Sequence, residues 1–309
     1  MKVLITGARG FIGANLAVKL VSAGHQVRAL DISAGVAPGG VEMIRGDVSD
    51  PETCRSACAG VDAVVHGAAI HHIDKVSKRP ERTLGVNVSG ALNMLRGAAA
   101  EGVGRFVYLS TAKVYGNPES MPSRESDYPE PIEIYALSKL AGEHYCRLFQ
   151  EAGTLDVAVI RPFSVYGPGQ SLDTGYVGML INALMTGEPL TIPGRPDYLR
   201  DFVHVDDVMR LCVQVITQPI TGGLQVLNAG SGTACTLAQL VELAGHASDR
   251  PVLAEYIEPG AATITRSLAC MDVAADILGF EPRISLAEGL QQTLDWFRQV
   301  DASGRLAGS

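Results

Sequence analysis

The run from Lys2 to Gly13 constrains this chain more than any other stretch. An apolar strand, Val3-Leu4-Ile5, breaks into Thr6-Gly7-Ala8-Arg9-Gly10-Phe11-Ile12-Gly13 and continues as a helix. Three glycines at this spacing have separate physical tasks: Gly7 permits a tight turn, Gly10 lets backbone approach a pyrophosphate, and Gly13 lets helix and strand pack closely. The helix that follows, expected from Ala14 to Ala23, directs N–H groups and about half a positive charge toward a phosphate, with Phe11 and Ile12 ahead of it in the cofactor set. Alone, the triplet also suits an ordinary strand-to-helix turn. Its context narrows the reading: the helix stops at Gly24, a second apolar strand Gln26-Val27-Arg28-Ala29-Leu30 follows, and Asp31-Ile32 close it. A carboxylate at that strand end accepts ribose hydroxyls and repels an extra phosphate, so the expected cofactor is NAD rather than NADP.

A length of 309 residues, 47% hydrophobic and 19% charged, describes a soluble globular protein with a substantial core. The net charge of -8 opposes nucleic acid or an anionic membrane as partner, because phosphate backbones require a basic surface. Six scattered cysteines suggest neither a zinc site nor a disulfide framework, and a reducing cytoplasm is the expected setting. Met1 leads straight into the first strand, which leaves no room for a signal peptide, and no apolar run approaches membrane-spanning length.

From Val3 to Ile160, short apolar strands alternate with helical stretches, the pattern of an α/β doubly wound parallel sheet. Further strands are predicted at Glu42 to Arg45, Ala63 to His66, Arg105 to Leu109 and Val157 to Ile160. Ligands of such sheets sit at the carboxyl ends of the strands, so the residues just beyond each strand form a set. Asp47-Val48 is placed to meet an adenine, with a helix N-cap region as the alternative. Ala68-Ala69 leave room for a flat ring, and Ser110-Thr111 and Arg161-Pro162-Phe163-Ser164 complete the set. Adjacent His71 and His72 rarely converge on one ion; they are expected in a loop or pocket wall, and no metal is expected. Beyond Arg161, Val165 to Gly169 and Pro193 to Pro196 are predicted as loops. Tyr176 to Thr186, Val205 to Thr217, Leu237 to Ala244 and Leu286 to Val300 are predicted as helices. Trp296 is a packing residue, and Asp301 to Ser309 a frayed tail.

Tyr135-Ala136-Leu137-Ser138-Lys139 puts a phenol and an ammonium on one helix face at i and i+4. Beside a dinucleotide site the pair has a mechanism: Lys139 and a positive nicotinamide ring favour the phenolate and lower the tyrosine pKa. Tyr135 then removes a proton from a substrate hydroxyl as hydride leaves the same carbon. Thr111 supplies a hydroxyl for the reacting oxygen, or serves only the turn.

These motifs, with Arg200-Asp201-Phe202-Val203-His204-Val205-Asp206-Asp207, Leu227-Asn228-Ala229-Gly230-Ser231-Gly232 and Leu278-Gly279-Phe280-Glu281-Pro282, resemble the extended short-chain dehydrogenase/reductase family over almost the whole chain. Within it, the chain is most similar to the NAD-dependent nucleotide-sugar epimerases and dehydratases. The resemblance implies a Rossmann NAD domain at residues 1–164, completed by about 203–229, and a smaller α/β substrate domain at 165–309. It implies a nucleotide-sugar substrate and a homodimer through the helices near Ser89 and Tyr135. It makes Tyr135 the acid/base, Thr111 its hydroxyl partner and Lys139 the activator and ribose ligand. Asn87, Ser110 and Pro162 join the cofactor set; Lys113, Ser164, Arg200 and Arg266 are the substrate set.

Dehydratases of this group follow the threonine with an acid; here Ala112-Lys113 follow it, which favours epimerisation at C4 through a 4-keto sugar over elimination. A dehydratase or a sugar dehydrogenase is the alternative. A catalytically silent NAD(H) sensor would lack the tyrosine or the lysine, and both are present. The group's asparagine after Arg-Pro-Phe is Ser164, and its late Arg-Pro-Gly phosphate contact is Glu258-Pro259-Gly260. Arg266 and Lys113 are the cations available to compensate.

Overall fold

The computed structural model describes residues 1–33, 41–219, 223–248, 252–260 and 263–302. In chain order its first strands are β1 (Lys2–Thr6), β2 (Gln26–Asp31), β3 (Glu42–Arg45), β4 (Ala63–His66), β5 (Arg105–Leu109) and β6 (Val157–Pro162). They are followed by β7 (Ser164–Tyr166), β8 (Leu190–Pro193), β9 (Leu199–His204), β10 (Gln225–Ala229), β11 (Ala234–Thr236) and β12 (Ala254–Ile257). Seven of them build a parallel sheet in the order β10-β6-β5-β4-β1-β2-β3, the Rossmann-type arrangement expected. The order reverses between β1 and β4, which opens the crevice where such sheets bind ligands.

Side chains alternate across this sheet. In β1, Val3 and Ile5 face a core shared with Leu16, Leu20, Val208 and Leu211, while Leu4 faces the opposite core with Val64, Met94 and Leu95. Helices cover both faces, so each strand reads as a continuous apolar run rather than an alternation of apolar and polar residues. A separate core gathers Val177, Leu180, Phe202, Leu240, Leu290, Leu294 and Phe297 around the sheet β11-β9-β7 and the pair β12-β8, and Trp296 packs against it.

Several boundaries differ from the predicted ones, among them the helix from Leu237, which runs to Ser248, and β6, which runs to Pro162. Val165 and Tyr166 are not loop: Ser164–Tyr166 pairs in parallel with β9, because this short β-favouring segment can bury Tyr166 there. The first helix spans Phe11–Ser22 and starts earlier, since the Gly10 carbonyl already accepts from the Ala14 N–H at 2.9 Å. The last helix, Leu286–Ala302, includes Asp301, because Leu290, Leu294 and Phe297 seat it on a core and no glycine or proline follows Gly289 within it. The rest of the predicted tail, 303–309, lies outside the described residues. No described helix is long and apolar enough to cross a membrane. On the helix Ile134–Glu151, Leu137 and Leu148 are 57% and 58% exposed, along the helix on which the dimer expectation rests.

Candidate active site

The glycine turn sits at the reversal point of the sheet. Gly7 has φ +68°, and a methyl group there would meet the Ala68 backbone at 2.9 Å, so the ends of β1 and β4 touch through it. A side chain at Gly13 would press on the Gly7 carbonyl oxygen at 2.3 Å and on Ala8 Cα at 2.8 Å. Gly10 is different: only the Gly7 oxygen, at 3.3 Å, lies within 4 Å of such a methyl. The helix beginning at Phe11 has no side-chain cap and no acid in its first turn. An open glycine before an uncapped helix start is what a pyrophosphate requires, and the residues present fit a dinucleotide.

Asp31 ends β2 and accepts the Arg9 N–H at 3.0 Å and the Ser33 N–H at 2.9 Å, which ties the glycine turn to the strand end. Ile32 is 55% exposed. Asp47 accepts the Ser49 N–H at 2.9 Å, and the helix that follows is capped by Asp50 instead. Val48 is buried, its side chain facing Gly90 and its carbonyl accepting from Asn93 Nδ2 at 3.1 Å. Asn87 lies in a π-helical turn, Gly85–Ser89, a form that recurs at functional sites. Its amide is spent within the protein: Oδ1 accepts the Ile70 N–H at 2.8 Å, and Nδ2 donates to Ile70 O and Ser138 Oγ. It staples the loop after β4, which carries Ala68 and Ala69, to the helix that carries Tyr135. Pro162 is the buried last residue of β6.

Tyr135 stands in the first turn of the helix Ile134–Glu151, with Lys139 one turn on and buried. Burial holds the Lys139 ammonium down at about 8, and its Nζ lies 4.2 Å over the Tyr108 ring. Tyr135 departs from the expected direction: burial, then the nearby Glu133 carboxylate, push its phenol up. The protein alone therefore keeps Tyr135 protonated, and the positive cofactor ring belongs to the expected lowering. Behind the pair, the fully buried His66 stacks on Tyr108 at 5.8 Å and contacts Thr6 Oγ1 through Nδ1 at 2.7 Å. Burial, then the Lys139 charge, hold His66 down at about 3, so it is neutral. Thr111, 8% exposed, follows β5 and accepts the Lys113 N–H at 3.3 Å through Oγ1.

Lys113 joins this group. Its Nζ lies 2.7 Å from Glu133 Oε1 and 5.8 Å from the centre of the Tyr135 ring. The His71 ring, 4.4 Å from that of His72, meets Tyr135 edge-on at 6.5 Å. No group of three His, Cys, Asp or Glu suited to a metal occurs among the described residues. The other substrate candidates lie on the smaller sheet. Ser164 pairs with Phe202 across β7 and β9. Arg200, 7% exposed, donates to Tyr176 Oη at 3.2 Å and to Ile264 O at 2.6 Å, and lies against the rings of Tyr176 and Tyr198. Arg266 bridges to Leu199 and donates to Pro118 O and Glu119 O at 2.6 and 2.9 Å.

Sequence reasoning missed the support behind Ser110. Ser110 Oγ donates to Glu143 Oε1 at 2.5 Å, and Glu143 takes Arg161 in a two-point contact at 3.0 and 2.6 Å. Arg161 also donates to Tyr115 Oη at 2.9 Å, and Tyr115 in turn donates to Asn228 Oδ1 at 2.7 Å. Asn228 Nδ2 reaches Ser123 O and Cys270 O. Two signals were present in the sequence: Glu143 continues the four-residue spacing Tyr135, Lys139, and Arg161 is a charge inside an apolar strand that requires a partner.

The model of the NAD dependent epimerase/dehydratase family matches residues 3–230. A UDP-glucose 4-epimerase of Mycolicibacterium smegmatis is 32% identical, covering 96% of this chain and 99% of that protein. A dTDP-glucose 4,6-dehydratase of Streptomyces niveus is 30% identical, with coverage of 96% and 93%. Among solved structures, MoeE5 in complex with UDP-glucuronic acid and NAD aligns with a TM-score of 0.90 at 32% identity over 97% of this chain and 99% of that one.

Proposed function

The chain belongs to the NAD-dependent epimerase/dehydratase family, and from that premise we propose that it is a nucleotide-sugar epimerase that inverts C4 through a transient 4-keto sugar. When bound, NAD supplies the acceptor that takes the hydride and gives it back. The residues of the chain manage the proton and the geometry. Tyr135 takes the proton of the C4 hydroxyl and later returns it, Thr111 Oγ1 holds the reacting oxygen, and Lys139 adds positive charge that favours the phenolate. The glycine turn and Asp31 hold the dinucleotide; Arg200 and Arg266 are the cations for the sugar-nucleotide phosphates.

Lys113 is the observation that carries the choice of reaction. Eliminating water requires a general acid for the departing hydroxyl, and the two positions after Thr111 supply a methyl group and an ammonium instead. Dehydration is the second reading, favoured by Glu133, the carboxylate that lies beside Tyr135 although Lys113 engages it. The test incubates the protein with NAD and UDP-, dTDP-, GDP- and CDP-sugars and follows product mass and proton NMR. An isomer of unchanged mass is expected, while loss of one water would replace this reading with the second. Tyr135→Phe is expected to keep fold and NAD while turnover falls by at least about 100-fold; unchanged turnover would remove Tyr135 from the mechanism.

A further inference from the structure

The titratable and charged groups around Tyr135 come from several elements. Lys139 approaches from its own helix, Tyr108 from β5, His71 from the loop after β4, Lys113 from the turn after Thr111, and Glu133 from the residue capping the helix. Lys113 and Glu133 stand apart from the rest because they are bound to each other at 2.7 Å while both act on the same ring. The lysine is also seated by the site itself, since its N–H donates to Thr111 Oγ1. We propose that this ion pair is a charge balance for the acid/base tyrosine: Lys113 masks a carboxylate that otherwise holds the phenol protonated, and thereby sets how readily Tyr135 accepts the substrate proton. Lys113 and Glu133 are positioning residues in this role, acting through Tyr135. The geometry supports it on two counts. The ammonium lies over the face of the ring, where a cation is favourable, and the pair is only partly exposed, at 42% for Lys113 and 22% for Glu133, so solvent screens it incompletely.

The inference rests on Tyr135 being the acid/base of the proposed reaction, and the experiment separates the two. Tyrosine carrying 13C at the phenolic carbon is incorporated, the Tyr135 signal is assigned by its absence in Tyr135→Phe, and the NAD-loaded protein is titrated without substrate. Removing the positive charge with Lys113→Met leaves Glu133 unmasked and disfavours the phenolate, so the Tyr135 titration moves to higher pH. Glu133→Gln removes the negative charge, leaves Lys113 over the ring, and moves the titration to lower pH. Each shift is on the order of one pH unit, and the double variant returns close to the parent. The pH profile of turnover is expected to move with the signal. Equal shifts of one sign, an unmoved signal in both single variants, or a double variant as displaced as either single one would overturn the proposal and leave the pair a simple tie between turn and helix. A shifted signal in a protein inactive on every nucleotide sugar would keep the charge balance and sink the epimerase reading.

Discussion

The glycine turn and the buried network behind Ser110 lie at the carboxyl ends of β1 and β5, on the same edge of one parallel sheet, but are built from different materials. The turn is backbone: Gly7, Gly10 and Gly13 act through the absence of side chains, and all fall within seven residues. The network is side chains: Ser110, Tyr115, Glu143, Arg161 and Asn228 come from five places in the sequence and meet only in the fold. A backbone site fails when anything is added. A side-chain network fails when one member is removed and its partner is left buried without compensation.

The largest expected effect therefore comes from breaking the ion pair. Arg161→Met leaves Glu143 without its cation and almost fully enclosed, at 7% exposure, and is expected to cost about 3–5 kcal/mol in chemical denaturation. The double variant Glu143→Met/Arg161→Met is expected to recover much of that loss, because the cost is the unpaired charge rather than the missing bond. If the double variant is as unstable as the single one, the pair is valued for its shape, and the contrast with the turn weakens.

Gly13→Ala probes the other region. Alanine is the better helix former, by about 1 kcal/mol in an open helix. Here its methyl would meet a carbonyl oxygen at 2.3 Å and a backbone carbon at 2.8 Å, neither of which can swing aside. A net loss of roughly 2–3 kcal/mol is expected from forcing a methylene into packed backbone, together with NAD affinity weakened at least about tenfold. Calorimetry with and without NAD reads both. A stable variant that binds NAD normally would show that the turn adjusts, contrary to a site built by exclusion.

The same contrast decides what could be read from the sequence. The parallel sheet was legible because apolar runs and glycine spacing are local, and β1 to β6 lie where those runs predict them. Tyr135, Lys139 and Thr111 could be singled out for the same reason. The direction of the Tyr135 shift could not be read, because it depends first on how deeply the fold buries the phenol and then on the Glu133 carboxylate beside it. Nor could the fate of Asn87, whose amide is consumed by Ile70 and Ser138 only because a π-helical turn aims it there. Val48 adjoins Asp47 in the sequence but faces Gly90 in the core. Periodicity tells which residues face inward; it does not tell which polar atom another polar atom will find there.

The smallest expected effect sharpens the comparison most, because it removes a single oxygen. Tyr115→Phe keeps the ring 4.8 Å from the Arg161 guanidinium and keeps the ion pair with Glu143. It deletes the hydroxyl that accepts from Arg161 and donates to Asn228, and so cuts the path through Tyr115 from the pair to β10 and, through Asn228, to the backbone at Ser123 and Cys270, leaving the path through Glu125. About 1–2 kcal/mol of stability is expected to be lost, the cost of leaving a buried acceptor unmet. NAD affinity should fall little, since the glycine turn and Asp31 take no part in this network and Ser110 keeps its bond to Glu143. Turnover should fall more than NAD affinity, because the network ends at Ser110, next to Thr111. If NAD affinity falls in parallel with turnover, the two regions are one cooperative unit. If neither changes and stability holds, the ion pair alone supports the strand end, and the long-range half of the site reduces to Glu143 and Arg161.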